Sequence, residues 1–309
     1  MAVLIPNAES LRWRGIGVSP RRGSLLRSRG SSAETANERP AAATHAARVY
    51  HVGSQMIVDT HAYLSRWPFR RLAGDEPSEF VAKMRQQGVT QAWVGSFDGL
   101  LHRDIAAVNA SLAADCRAHG TGLLVAFGSV NPTLPDWRED VRRCRQEHRM
   151  PGIRLHPNYH GYTLADSRFR EVLELAARFG LIVQLVVTME DERTQHPLMQ
   201  VPSVDLRPLM GIVPSISSLR LMVLNQRHDA PVKELASAGE VYFDFAMVER
   251  LRGVATLSRH VSPQRVVFGS HYPLFNRESA ILKMRESDLS VGDAQAIREG
   301  NARRLLSRK

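Results

Sequence analysis

Residues 91–130 read QAWVGSFDGLLHRDIAAVNASLAADCRAHGTGLLVAFGSV, and this stretch decides the fold. It begins with a short, largely apolar run at Gln91–Ser96 and ends with another at Leu123–Val130. Between them Ile105, Val108 and Leu112 recur three and four residues apart, the spacing of one helical face. Gly120 follows as the stop signal. Both runs mostly lack polar alternation, which predicts strands buried on two faces, as in a parallel sheet. The stretch is one strand–helix–strand unit.

The same rhythm extends in both directions. Further strand candidates are Ile57–His61, Gly152–His156, Leu181–Thr188, Leu219–Asn225, Val241–Phe245 and Arg265–Ser270. Helical spacing recurs in Phe80-Val81…Met84 and Phe169…Val172-Leu173…Ala176, with stops at Gly88 and Gly180. Asp136 and Asp166 read as N-caps. Eight such units between residue 55 and residue 309 match a (β/α)₈ barrel, typically about 250 residues long. A doubly wound open sheet fits less well, because no Gly-rich phosphate loop follows the first strand.

Composition narrows the function classes. With 43% hydrophobic residues in 309, a mainly disordered chain is excluded. Two cysteines, Cys116 and Cys144, exclude a disulfide framework and suit a reducing, cytoplasmic compartment. No apolar run reaches the roughly 20 residues of a membrane span. The net charge of +10 suggests nucleic acid until its distribution is read. Residues 1–54 hold eight Arg and three acids, half of the excess. That Arg-rich leader lacks periodicity and reads as disordered, with Met56 as an alternative start of translation. No aromatic-interleaved basic strand or recognition-helix pattern supports nucleic-acid binding, and a homo-oligomer is compatible with the sequence.

In a barrel the chemistry sits at the C-terminal ends of the strands. Five of the 12 histidines fall there: His61, His156, His160, His228 and His271. Asp244 ends a strongly apolar strand and needs a partner, for which Arg154 is the inward-facing candidate. Arg66, Arg70 and Arg71 follow the first strand beside Trp67 and Phe69, a set suited to holding a carboxylate or phosphate. His156, Asn158, Tyr159, His160 and Tyr162 crowd one loop, punctuated by Pro157 and Gly161. Glu190, Asp191 and Glu192 open a long loop after the fifth strand, as binding loops and lids do. Their carboxylates are also suited to pairing with Arg66, Arg70 or Arg71 across the mouth.

These strand ends resemble the amidohydrolase-related branch of the amidohydrolase superfamily. Val58–Tyr63 is similar to its first-strand D-x-H-x-H motif, and Gly152–Pro157 to its fourth-strand G-x-[KR]-L-H-P. Arg265–Pro273 is similar to R-x-x-F-G-S-D-x-P on the eighth strand, and Gly300–Leu306 to the terminal G-N-A-x-R-L. The resemblance implies a metal-dependent hydrolase or decarboxylase, with the metal on two first-strand histidines, a fifth-strand histidine and an eighth-strand aspartate. Only His61 matches that set. The other positions carry Tyr63, Val186 and His271, and the sixth-strand histidine position carries Asn225.

Two arrangements of the remaining residues are open. His61, His156 and His271 can form a rebuilt zinc site, with Asp244 or Glu190 adding a carboxylate. Without metal, His61 and His271 are a general acid–base pair, with Asp244 beside them. Either way the expected reaction is hydrolysis or decarboxylation of a small anionic molecule. Arg66, Arg70 and Arg154 would hold the anion, and His156, Asn158, Tyr162, Glu192, Asn225 and Tyr272 would line the site. The alternative is a non-catalytic barrel that binds a small molecule or a protein partner.

Overall fold

The computed structural model describes residues 56–227 and 229–307. The expected leader (residues 1–54) and His228 lie outside the described residues. Seven strands form one sheet: β1 Ile57–Leu64, β2 Val89–Ser96, β3 Leu124–Ser129, β4 Gly152–Leu155, β5 Ile182–Val186, β6 Arg220–Leu224 and β7 Val241–Phe243. Every neighbouring pair is parallel, in the order of the chain. This is the architecture that near-continuous apolar strands require, since helices must cover the outer face.

The expected eighth strand, Arg265–Ser270, is not a regular strand. The chain there bridges both sheet edges, Phe243 to Val266 on one side and Ala62 to Tyr272 on the other. Val267 N–H donates to Phe243 O (2.9 Å), while Thr60 and Tyr63 N–H donate to Phe268 O and Tyr272 O (2.8 and 2.9 Å). The irregular segment therefore closes the sheet from β7 back to β1. A doubly wound sheet would reverse its strand order and leave its edges apart, so the fold is a TIM-like α/β barrel.

The helices lie where the periodicity places them, at Pro77–Gln86, Ile105–His119, Trp137–Gln146 and Ser167–Arg178. Val232–Ala238 and Gly253–Val261 flank β7. Asp166 caps its helix by accepting from Arg168 N–H, as its position before Ser167 predicts. Asp136 occupies the N-cap position without a side-chain bond.

Strand parity sorts the core into layers. Ile153, Leu155, Val183, Leu185, Leu221 and Val223 pack with the helix residues Phe169, Val172 and Leu173. The alternate residues Ile182, Val186, Met222, Leu224 and Tyr242 pack with Trp93 and Phe127 inside the barrel. Arg154 and Gln184 share the inward parity and are fully buried. The polar residues of the mouth stand directly on this filled interior.

Candidate functional site

Three strand ends meet at one hydrogen-bonded chain. His61 on β1 places Nδ1 2.6 Å from Asp244 Oδ2, just beyond β7. Its other ring nitrogen, Nε2, is 2.9 Å from His271 Nδ1, on the closing segment. His271 Nε2 then lies 2.8 Å from the carbonyl oxygen of Met189, in the β5 loop. None of the three side chains is exposed. Asp244, expected to pair with Arg154, instead has His61 as its side-chain partner, with Asn225 N–H donating to Oδ1 at 2.8 Å.

Two backbone features make this reach possible. Gly269 lies between His61 and Asp244. A Cβ there would stand 2.8 Å from Asp244 Cβ and 3.0 Å from His61 Cβ. Asn225 and His271 both adopt left-handed backbone, with φ of 54° and 57°. Such residues store roughly 1–3 kcal/mol when not glycine, and they cluster where the surroundings over-determine them. Gly269 is a site residue that the sequence reading passed over, although it stands inside the quoted F-G-S segment. We expect Gly269→Ala to separate His61 from Asp244 and lower stability by about 1–3 kcal/mol. A urea titration checks the loss, and a spectrum of the His61 ring protons checks the separation.

The chain contains more hydrogen bonds than two neutral imidazoles can supply. Met189 O only accepts, so His271 Nε2 carries a proton and Nδ1 is bare. Nδ1 then accepts from His61 Nε2–H, which leaves His61 Nδ1 bare. The third link needs one more proton, between Asp244 Oδ2 and His61 Nδ1. Burial decides where it sits. Desolvation holds both histidines well below their ordinary pKa and pushes the Asp244 carboxyl up to about 7. Burial thus favours the proton on the Asp244 carboxyl at the inner end, and the Met189 carbonyl calls for an N–H at the outer end.

This has a signed consequence for stability. A raised carboxyl pKa contributes stability that is present below about pH 4 and lost as pH rises to about 7. The depressed histidines act oppositely, giving stability above about 6.5 that is lost as pH falls. The two trends oppose one another in the wild type. Asp244→Asn removes only the first. Between pH 4 and 7 its stability should therefore rise relative to wild type by up to about 1.4 kcal/mol per pH unit. Denaturant titrations of both proteins at four pH values measure this.

The other predicted residues divide by parity and partner. Tyr63, where the resemblance implies a metal-ligating histidine, has its OH 2.9 Å from His156 Nε2 and 3.5 Å from Met189 Sδ. Burial pushes its phenol up to about 12. His160 Nε2 donates to Gly99 O at 2.8 Å, while Tyr162 OH is buried without a partner. Arg154 lies beneath the mouth, donating to Gln184 Oε1, Ala62 O and Trp93 O, with Tyr63 stacked over it at 4.5 Å. All its donor groups are engaged inside the barrel. It supports the site from below. Tyr272 faces outward among Ala62, Leu64 and Phe80, because the left-handed turn at His271 reverses its side. Asn225 Nδ2 donates to Thr188 O, and Asn158 Nδ2 to Val187 O and Pro202 O, tying down the β5 loop.

The loops after β1 and β5 cover this hydrogen-bonded chain. Arg70 is 2.7 Å from Glu190, and Phe69 stacks on His196 with centroids 5.2 Å apart. Arg66 and Arg71 turn away to Glu76 and Asp75, and Glu192 pairs with Arg227. Of the three arginines weighed for the mouth, Arg70 is the one that meets a carboxylate of the β5 loop.

A divalent metal fits this donor set poorly. Both ring nitrogens of His61 and of His271 are already in hydrogen bonds, two of them to each other. His156 Nε2 is held by Tyr63, and Val186, where a fifth-strand histidine would stand, lies in the apolar interior. Among the described residues no group of three His, Cys, Asp or Glu side chains is arranged to hold an ion. Of the His61, His156 and His271 set expected as a rebuilt zinc site, His61 and His271 bond to each other while His156 Nε2 bonds to Tyr63 OH.

A protein-family model described as Amidohydrolase matches residues 58–208. Among solved structures, 5-carboxyvanillate decarboxylase from Novosphingobium aromaticivorans, with bound manganese, is similar with a TM-score of 0.64 and 14% identity, over 82% of this chain and 97% of that one. The 2,6-dihydroxybenzoate decarboxylase from Rhizobium has a TM-score of 0.63 and 12% identity, over 82% and 98%. The dihydroxybenzoic acid decarboxylase from Polaromonas, with manganese and 2-nitroresorcinol, has 0.65 and 12%, over 82% and 97%. At such identities the likeness is one of fold. No curated protein matches the chain. Among the described residues no helix is long and apolar enough to cross a membrane.

Proposed function

We propose that the chain is a divergent member of the amidohydrolase family and a metal-independent acid–base enzyme, a decarboxylase of small aromatic acids. One observation carries this reading. Asp244, His61, His271 and the Met189 carbonyl are joined by three consecutive short contacts of 2.6, 2.9 and 2.8 Å, one more hydrogen bond than two neutral imidazoles can supply.

Protodecarboxylation needs a proton delivered to the ring carbon that bears the carboxylate, after which the carbon–carboxylate bond breaks and carbon dioxide leaves. His271 Nε2–H is the donor once the Met189 carbonyl is displaced from it. As that proton leaves, His271 Nδ1 takes the proton of His61 Nε2, and His61 Nδ1 takes the proton of Asp244. The discharged chain reads Asp244 carboxylate, His61 Nδ1–H, His271 Nδ1–H, and every internal hydrogen bond is again satisfied. Solvent reloads it through His271 Nε2. Both end states are therefore well bonded, which suits a relay. Arg70 at the mouth holds the substrate carboxylate. We place the protein in the cytoplasm, consistent with its two unpaired, buried cysteines.

A second reading, a non-catalytic binder of small acids, is favoured by the complete burial of the relay. The test is carbon dioxide release from a panel of hydroxybenzoic acids by protein dialysed against chelator. Turnover unchanged by added manganese or zinc is expected. Turnover that appears only with metal, at about one bound equivalent, overturns metal independence, and no turnover with any acid leaves the binding reading.

A further inference from the structure

We propose that Met189–Glu190 is a tethered substitute for the ligand, so that an acid binds only by displacing this segment from His271 and Arg70. The inference rests on the reading of the mouth as the acid-binding site. Three parts of the segment occupy three positions that an aromatic acid would use. The Met189 carbonyl accepts from His271 Nε2 at 2.8 Å. The Met189 side chain is buried in a cluster with Tyr63, Trp67 and Phe97, its Sδ 3.5 Å from Tyr63 OH. The Glu190 carboxylate, almost fully buried, lies 2.7 Å from the half-exposed Arg70 guanidinium.

The fit of the segment is imperfect in an informative way. Glu190 Oε1 is in ionic contact with Arg70 yet makes no aligned hydrogen bond. A buried carboxylate with one poorly aligned cation is under-compensated. A free carboxylate approaching Arg70 in the bidentate geometry guanidinium favours would be held better. Met189 is likewise a flexible, polarisable filler of an aromatic site rather than a shape-matched one. The incoming ligand is a small carboxylic acid with a flat apolar body and a second oxygen. Its carboxylate replaces that of Glu190, its body the methionine side chain, and its oxygen the Met189 carbonyl. Apparent affinity is then reduced by the fraction of time the segment spends seated.

Calorimetric titration with 2,6-dihydroxybenzoate and with benzoate tests this. Glu190→Gln, which removes the competing charge, is expected to bind both probes at least tenfold more tightly than wild type. Arg70→Gln is expected to bind at least tenfold more weakly in either background. Equal or weaker binding by a folded Glu190→Gln protein overturns the proposal. So does an absence of binding in every form. Should that variant not fold, protease cleavage within residues 191–200 of the wild type decides. Saturating 2,6-dihydroxybenzoate should accelerate cleavage severalfold by unseating the loop, and protection or no change contradicts the displacement. Asp244→Asn separates the two proposals, since it should lower turnover by about 10²–10⁴-fold while keeping the gain from Glu190→Gln. A gain in binding without any turnover defeats the enzyme reading alone, and turnover without the gain defeats this one.

Discussion

Asp244→Asn is expected to leave the protein folded and to lower turnover by about 10²–10⁴-fold, the range of a lost general acid. The substitution is nearly isosteric. An asparagine side-chain N–H can still donate to His61 Nδ1, and its oxygen can still accept from Asn225 N–H, where Oδ1 now lies 2.8 Å away. The hydrogen-bonded frame therefore survives, but the amide cannot release its proton into the chain. His271 can give up Nε2–H only by leaving itself and His61 short of one proton. A steady-state assay on the acid that turns over, compared with the thermal midpoint of the same preparation, measures both halves. A fall below fivefold with an unchanged midpoint rules out the relay as the proton source.

Arg154→Met should have the largest effect on stability, a loss of about 3–5 kcal/mol. The guanidinium is wholly buried and donates to Gln184 Oε1 at 2.8 Å, Ala62 O at 2.7 Å and Trp93 O at 3.2 Å. Methionine fills much of the volume and supplies none of these donors. Each polar atom left without a partner in the interior loses roughly 1–3 kcal/mol. The change also removes a positive charge that favours the ionised form of Asp244, and so drives that carboxyl further upward. A urea titration at pH 7 gives the stability loss directly. A loss under 1 kcal/mol would show that these carbonyls are satisfied without the arginine.

The barrel was legible because its signal is local. Apolar runs, helical spacing and glycine stops recur along the chain, and each reports on a few consecutive residues. The eighth segment was legible only as an apolar run, since a left-handed His271 leaves no mark in a non-glycine sequence. The site was half legible. His61, Asp244 and His271 could be placed at strand ends by parity, and the structure joins them. His61 and His271 were expected as a pair, but the direct bond from His61 to Asp244 could not be read, because it depends on Gly269 withholding a side chain between them. Arg154 looked like the partner of Asp244 because both point inward. Depth along the strands separates them, placing the arginine in the barrel interior beneath Tyr63. Tyr63 itself read as a lost ligand, and its bond to His156 emerges only from the shape of the mouth.

The most direct measurement is a long-range nitrogen–proton correlation spectrum of the histidine rings at pH 6, on protein freed of metal by chelation. With Asp244 protonated, His61 and His271 should both be neutral and both carry their proton on Nε2. Rings protonated on Nδ1 instead, with a bare His271 Nε2 facing the Met189 carbonyl, would contradict the stored proton and the relay built on it.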